Sequence, residues 1–166
     1  MSSTNDFIMV LQTLKAGDLG LLRTHANKGL DQTVDGFDLF TGLWWPLRQK
    51  NQFAPRREVA WLIAKLYAKC PIEHQSDCLF AHQLQRCEPR EERARNRFRQ
   101  KFDELITTPL EQIEPTLRRA LQEISSHELK LDWVKLTDDL SFWEQETKHQ
   151  EWINQYLSIN ERVQPC

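Results

Sequence analysis

The chain has 166 residues, of which 40% are hydrophobic and 28% charged, and its formal net charge is −2 at pH 7. This length suits one domain or two small helical halves, and the composition is that of a soluble globular protein. The charge excludes a protein that binds nucleic acid through bulk positive charge, so such a function needs a local basic patch.

Composition also narrows the fold class and the compartment. The sequence has no apolar run of about 18 residues, so no membrane span is expected. The first residues lack the basic and apolar regions of a secretory signal, and with four cysteines this favours free thiols in the cytoplasm. Five glycines and the absence of hairpin signals favour an all-α protein.

Four helices are predicted in the N-terminal half, residues 5–69. The first covers residues 7–14. Asp18 is expected to cap the second helix with its carboxylate, because the first N–H groups of a helix lack partners. Residues 28–36 are predicted to form a polar loop.

The third and fourth helices are predicted from apolar patterns and prolines. The third is expected to end at Pro46, whose ring cannot continue the backbone hydrogen bonds. Pro55 fits the first turn of the fourth helix, residues 56–69. This helix is apolar nearly all round, which is typical of a central core helix. Lys65 and Lys69 are expected to mark its solvent-facing edge.

A connecting loop, residues 70–89, is predicted to contain one short helix near residues 79–84. The C-terminal half, residues 90–158, begins with a long helix that ends near Ile106. The sequence Thr108-Pro109-Leu110-Glu111 resembles a capping box, with proline at the first position of the next helix.

The segment 131–143 carries an apolar stripe at helical spacing, formed by Trp133, Leu136, Leu140 and Trp143. Asp132 precedes the stripe and is expected to cap the helix. Because tryptophans bury large areas, this stripe favours a helix packed on the core over a base-stacking surface. A last helix to about Ile159 and a loose tail, residues 160–166, follow. The expected fold is an all-α bundle of about eight helices in two packed halves.

The most informative charged stretch is 86–101. On a helix, four of its basic residues share a face: Arg90, Arg93, Arg97 and Lys101. Arg118 and Arg119 lie on the next helix, and a short connection makes the two helices neighbours. These cations could together neutralise a phosphate backbone without reading bases. The alternative is a solvated helix face with ion pairs such as Glu91–Arg95.

Metal binding and catalysis find little support. The potential ligands Cys70, His74, Cys78, His82 and Cys87 lack the short Cys-x2-Cys spacing of structural zinc sites, so no metal or other cofactor is expected. Asp138-Asp139 are predicted to be solvated, because adjacent helical residues diverge by about 100°. No phosphate-binding glycine loop, His-Glu-x-x-His or Gly-x-Ser-x-Gly motif is present.

The order of several short motifs resembles the small subunit of type I-E Cascade, the CRISPR RNA-guided surveillance complex. They are Gly-Asp followed by Leu-Leu-Arg (17–23), Pro-Arg before a buried helix (55–69), Asn-Arg-Phe (96–98), Leu-Arg-Arg-x-Leu (117–121), Leu-Asp-Trp-x-x-Leu-x-x-x-Leu-x-x-Trp (131–143) and Trp-x-x-x-Tyr (152–156). The resemblance covers residues 7 to about 157.

The resemblance implies an all-α, non-catalytic subunit that acts in antiviral defence. It also implies two copies of the chain, which contact the backbone and large subunits of the complex. In that family the subunit stabilises the guide–target heteroduplex and the displaced DNA strand, so CRISPR RNA and the target DNA backbone are implied partners. Matching positions for nucleic-acid contacts are Arg23, Arg56, Arg97, Arg118 and Arg119; helix geometry adds Lys101, with Arg90 and Arg93. The alternative is a stand-alone adaptor whose tryptophan-rich face binds another protein.

Overall fold

The computed structural model describes residues 3–32, 34–50 and 55–158, and within these ranges the protein is all-α, as predicted. The nine α-helices of the described residues are α1 (Ser3–Gln12), α2 (Ala16–Arg23), α3 (Val34–Lys50), α4 (Arg57–Lys69), α5 (Phe80–Arg86), α6 (Glu92–Thr107), α7 (Glu114–Ser126), α8 (Trp133–Ser141) and α9 (Glu146–Leu157). Two short 3-10 helices cover Leu30–Gln32 and Leu110–Gln112. The predicted tail, residues 160–166, lies outside the described residues.

The chain divides into two compact units, Met1–Pro71 and Ile72–Cys166. The first contains α1–α4 and the second α5–α9. None of the described helices has the length and apolar character needed to cross a bilayer. Residues 72–89, predicted as a connection, lie in the second unit, where α5 packs on α7 and α9.

The core of the first unit is built around α4, which packs on α2 and α3. Its apolar residues are buried, as the sequence predicted. The prediction that Lys65 lies on a solvent-facing edge is wrong. Lys65 is 5% exposed because its Nζ donates a 2.9 Å hydrogen bond to the Lys28 carbonyl and lies 5.1 Å from the Trp61 ring centroid. The ammonium is thus buried with a carbonyl and an aromatic face as partners.

Helix α3 continues through Pro46, so the predicted end of this helix is wrong. Proline in a helix interior costs about 3 kcal/mol or more because one backbone hydrogen bond is lost. The group left without that bond is the Gly42 carbonyl, four residues earlier, and both Gly42 and Pro46 are exposed to water. Trp44 lies between them and ties the helix to the core, since it stacks on Phe40 at 5.7 Å and its Nε1 donates to the Pro55 carbonyl.

Helix α2 also begins earlier than predicted. Asp18 lies inside its first turn, where a carboxylate is favourable near the helix N-terminus, and Lys15 occupies the N-cap position without a side-chain cap. The predicted cap at Asp18 is therefore wrong. The predicted polar loop 28–36 contains the Leu30–Gln32 3-10 helix, and α3 already begins at its end.

In the second unit, aromatic rings form the centre of the core. Trp152 of α9 lies 4.8 Å from Phe80 of α5 and 4.7 Å from Trp143, measured between ring centroids. Trp143 also donates from Nε1 to the Thr108 carbonyl at the end of α6. The tryptophans of the stripe are therefore core residues, as the helical spacing predicted.

The cap of α8 is confirmed. Asp132 accepts a 2.9 Å hydrogen bond from the Lys135 N–H and a 3.0 Å bond from the Asp77 N–H. Trp133 is fully buried and donates from Nε1 to the Ile72 carbonyl, and its backbone N–H donates to His74 Nδ1. Hydrogen bonds of Asp132 and Trp133 thus hold residues 72–77 against the start of α8.

Two further predictions in this unit need correction. The capping box at Thr108 is wrong: the Thr108 hydroxyl bonds back to the Glu104 carbonyl at the end of α6, and α7 starts after a 3-10 helix with Pro115 in its first turn. Asp139 is not solvated but 2% exposed. It lies 3.0 Å from Lys135 Nζ and accepts a hydrogen bond from Trp152 Nε1, which compensates its charge.

Candidate nucleic-acid interface

Helix α6 displays the basic stretch. Its start is fixed by Glu91, whose carboxylate accepts hydrogen bonds from the Arg93 and Ala94 N–H groups. These bonds lower the pKa of Glu91, so it caps the helix as an anion. The exposed side chains of Arg93, Arg97 and Lys101 then follow at intervals of four residues, which places them on one face of α6.

A cavity of about 180 Å³ opens between α6 and α7, with α5 at its base; we call it the α6–α7 cavity. Its floor is buried and apolar and consists of Leu84, Phe102 and Leu105. Its half-buried walls are Ala94, Phe98, Thr116 and Ala120. Its exposed rim carries Arg97, Lys101, Arg119 and Glu123. The cavity therefore combines an apolar interior with three cations at its mouth.

The cations of this region differ in whether they form ion pairs with carboxylates. Arg99 is bound to Glu88 at 2.7 Å, and Arg118 lies 3.6 Å from Glu114. By contrast, no ion pair within 4 Å joins Arg97, Lys101 or Arg119 to any carboxylate of the described ranges. We call these three residues the rim cations.

Three cations around one cavity create a local positive potential in a protein whose net charge is negative. Arg97 and Lys101 are four residues apart on one helix, an arrangement that slightly destabilises the helix through repulsion. Glu123 is the one carboxylate of the lining, so it offsets only part of this charge. An external anion at the rim would relieve the repulsion.

The side of α6 that faces α9 is held in place by packing and by one ion pair. Phe102 stacks on Tyr156 at 4.2 Å, with the rings 16° from parallel. Burial, together with the nearby charge of Glu88, raises the pKa of Tyr156. The side chain of Glu88 is 8% exposed and holds Arg99. This packing fixes the helix that carries two of the rim cations.

Cys87, at the end of α5, lies close enough to the cavity for the charge of Glu123 to affect the pKa of its thiol. Burial, and then the charge of Glu123, raises the pKa of the Cys87 thiol to about 12. The thiol is therefore neutral at physiological pH and is neither a nucleophile nor an anion that would oppose a bound phosphate.

Only some of the six residues predicted to contact nucleic acid lie at one site. Arg97, Lys101 and Arg119 line the cavity, whereas Arg118 is half-buried beside Glu114. The remaining two belong to the first unit: Arg23 ends α2, where a cation suits the helix dipole, and Arg56 is the exposed N-cap residue of α4.

Several lining residues were not predicted from the sequence. Phe98 is half-buried and shares the cavity with Arg97 and Lys101, whereas the sequence singled out only the charged residues of this stretch. The sequence feature that could have indicated the cavity is the pair of small side chains Ala94 and Ala120, because alanines on neighbouring helices leave space between them.

The cysteines and histidines of residues 70–87 do not assemble into a site. Among the described residues, no group of three His, Cys, Asp or Glu side chains is placed to hold a metal ion. Cys70 and Cys87 are buried thiols outside any disulfide, as predicted, and Cys78 is fully buried. His74 has a structural role as the acceptor for Trp133.

Comparison with known proteins finds one matching family model and several similar solved structures. The family model described as CRISPR-associated protein Cse2 matches residues 19–157. CasB from Thermus thermophilus is 23% identical, with a TM-score of 0.69 over 94% of this chain and 98% of that chain. CasB from M. ruber is 22% identical, with a TM-score of 0.69 over 93% and 92% of the two chains.

CasB from Thermobifida fusca is 15% identical and has a TM-score of 0.72 over 93% of this chain and 97% of that chain. At these identities the crystal structures establish a shared fold. No curated protein gives a significant match.

Proposed function

Because the chain belongs to the Cse2 family of CRISPR-associated proteins, we propose that it is a non-catalytic Cascade subunit that holds nucleic acid by its phosphates at the rim of the α6–α7 cavity. The resemblance to the small subunit of type I-E Cascade is confirmed by the family match and by the similarity to CasB structures. The proposal adds which surface of this chain contacts nucleic acid.

The observation that carries the proposal is the separation of paired from unpaired cations. Arg99 and Arg118 have carboxylate partners, while the rim cations have none within 4 Å among the described residues. Solvated helix faces usually pair their charges at i, i+4 spacing, which is the arrangement that Arg118 shows. The three rim cations form no such ion pair among the described residues, even though Glu123 follows Arg119 by four residues. Their convergence at one cavity is better explained by an anionic ligand.

Phosphate contacts suit a subunit of an RNA-guided complex. Guide pairing reads the target sequence, so protein subunits need only hold the backbone and the shape of the nucleic acid. Arginine matches phosphate oxygens with two parallel hydrogen bonds, whereas lysine offers a compact charge. The rim contains both, and it supplies the local patch that a chain of net charge −2 requires.

The proposed ligands are the CRISPR RNA, its heteroduplex with target DNA, and the displaced strand. The proposed protein partners are the backbone and large subunits and a second copy of this chain. Arg23 and Arg56 of the first unit are proposed as further phosphate contacts. Arg118 is the weaker candidate, because its side chain is 19% exposed and held by Glu114.

A stand-alone adaptor with a tryptophan-rich binding face has less support. Trp61, Trp133, Trp143 and Trp152 are buried in the two cores, and Trp44 is half-buried. Trp45 is 48% exposed and can still contribute to contacts between subunits. The tryptophans as a group therefore stabilise the fold.

The test is charge reversal in the reconstituted complex. Arg97→Glu with Arg119→Glu should assemble, since both side chains are exposed, but should weaken the affinity for target DNA. Each charge-assisted contact contributes about 1.5–3 kcal/mol, so a loss of at least about tenfold is expected. The loss should be similar for unrelated target sequences with matching guides, because phosphates carry no sequence information.

The control for total charge is Arg86→Glu with Lys130→Glu, which also breaks the 3.2 Å ion pair between Lys130 and Glu73. This double variant changes the net charge equally within the same unit, at residues that do not line the cavity. If both double variants weaken binding equally, the effect reflects total charge. If the Arg97/Arg119 variant assembles and binds target DNA like the wild type at physiological salt, the rim is a solvated face and the proposal fails.

A further inference from the structure

We infer that the α6–α7 cavity receives one unstacked base of a single-stranded stretch of nucleic acid whose flanking phosphates lie on the rim cations. This inference rests on the proposed function and adds the part of the nucleotide that enters the protein.

The size and lining of the cavity fit an aromatic ring. Its volume is about 180 Å³, and a cavity of about 150 Å³ lined by apolar side chains is known to bind benzene. The floor of Leu84, Phe102 and Leu105 offers apolar contacts that a phosphate would not use. A ligand that fills both floor and rim would join a group with an apolar surface to a nearby negative charge, as a nucleotide does through the face of its base and its phosphate.

Phe98 supplies an aromatic contact on the wall of the cavity. It is half-buried, so part of its ring is open to the cavity while the rest is held by the core. Contacts between bases and aromatic side chains contribute to single-strand binding for every base, since all bases have a π face. Arg97 and Arg119 add planar guanidinium groups, which also stack on bases.

The polar lining offers partners for the edge of a base. The Thr116 hydroxyl can donate or accept a hydrogen bond, and Glu123 at the rim can accept one from an exocyclic amino group. The apolar floor favours the base over a phosphate inside the cavity, because a buried phosphate would find no hydrogen-bond partner there. The three rim cations outnumber Glu123, so the phosphates are favoured at the rim.

The strand must be single, because the bases of a duplex are stacked and paired. Extruding one of them costs a few kcal/mol, whereas an unpaired base enters at much lower cost. The same rim could touch a duplex through its phosphates, but only a single strand can fill the cavity. The cavity would thus favour an opened strand over a closed duplex.

The experiment compares a normal with an abasic displaced strand in the reconstituted complex. The target is pre-opened by mismatches, so guide pairing is the same, and the displaced strand carries either bases or abasic sites with the same number of phosphates. The measured quantity is the ratio of the two dissociation constants, which we call the base preference. One stacked base is expected to contribute about tenfold to this ratio for each bound copy.

Two variants test whether the cavity is the source of the base preference. Ala120→Leu fills the space from the wall, and Phe98→Leu removes the aromatic ring but keeps an apolar side chain. Both should reduce the base preference by about tenfold while affinity for the abasic strand stays near that of the wild type. The control Gln122→Leu adds the same bulk to an exposed position of α7 outside the cavity and should keep the preference.

An unchanged base preference in both cavity variants overturns the inference. So does loss of assembly without a lower melting temperature, because the cavity would then hold a side chain of a partner protein. Failure of the proposed function looks different: charge reversal at the rim would leave affinity for both strands unchanged. If charge reversal weakens both strands equally and the cavity variants do nothing, the rim binds phosphates and only the base site is refuted.

Discussion

Replacement of Asp139 by alanine should destabilise the second unit strongly, although the residue lies in a pair of aspartates that the sequence places on a solvated face. Asp139 is 2% exposed. Its carboxylate lies 3.0 Å from Lys135 Nζ and 3.5 Å from Lys148 Nζ, and it accepts a 2.8 Å hydrogen bond from Trp152 Nε1. One carboxylate thus connects α8 to two positions of α9.

The expected loss in the free energy of unfolding can be worked out from the partners that Asp139→Ala leaves without an acceptor or a counter-charge. The Trp152 indole N–H, fully buried, would lose its acceptor, which costs about 1–3 kcal/mol. Breaking a buried ion pair by removing one partner costs about 3–5 kcal/mol. The lower end applies here, because the Lys135 side chain is 38% exposed and Lys148 retains Glu151 at 3.2 Å. We expect a total of about 4 kcal/mol.

Urea unfolding of the full chain, followed by tryptophan fluorescence, measures this loss as a lower midpoint at unchanged slope. Asp138→Ala is the matched control, because Asp138 is the adjacent carboxylate and only half-buried; its loss should stay below about 1 kcal/mol. A free energy of unfolding for Asp139→Ala within about 0.5 kcal/mol of the wild type would refute the reasoning and return Asp139 to a solvated face.

Two further outcomes concern stability. Trp133→Ala should cost about 3–5 kcal/mol, because a fully buried side chain is removed and the Ile72 carbonyl loses a donor; a variant that keeps the wild-type melting temperature would contradict this. Stability should also fall above about pH 10, since folding raises the pKa of Tyr156 and of Lys135. For Lys135, burial lowers the pKa, but the hydrogen bond to Asp139 and the charges of the nearby carboxylates together outweigh it. The native state then binds more protons than the unfolded state, so the contribution is complete below the unfolded pKa values and lost above them. Tyr156→Phe should make the decline shallower in urea titrations from pH 8 to 11, and equal slopes would count against it.

Features that depend on local pattern could be predicted from the sequence. The stripe at Trp133, Leu136, Leu140 and Trp143 repeats at helical spacing, and all four residues are buried. The cap at Asp132 is a matter of one side chain and the N–H groups directly after it, which sequence spacing specifies. Most of the helices themselves were found in this way.

Features that depend on partners far away in the sequence could not be predicted from the sequence. Lys65 is buried because the Lys28 carbonyl, far away in the sequence, accepts a hydrogen bond from its ammonium group. Asp139 is buried because two lysines and the Trp152 indole surround its carboxylate. Pro46 does not end its helix, and Trp44, two residues earlier, donates a hydrogen bond to the Pro55 carbonyl outside that helix. Each of these is a tertiary contact that overrides a local preference.

The candidate site lies between these two cases. The shared face of Arg97 and Lys101 follows from spacing on one helix, and Arg119 was predicted on its neighbour. Which arginine of the pair at 118 and 119 reaches the cavity was not predictable, because it depends on the rotation of α7 and on the carboxylate that holds Arg118. The cavity itself arises from how α6 and α7 pack.

The central claim is that the rim cations bind phosphates, and the salt dependence of target binding by the reconstituted complex tests it most directly. Each neutralised phosphate contributes about 0.7 to 0.9 to the slope of log K against log salt. Replacing Arg97, Lys101 and Arg119 by alanine should therefore reduce that slope by about 2 to 3 for each copy of the subunit. A slope equal to that of the wild type, in a complex that assembles normally, would contradict the claim.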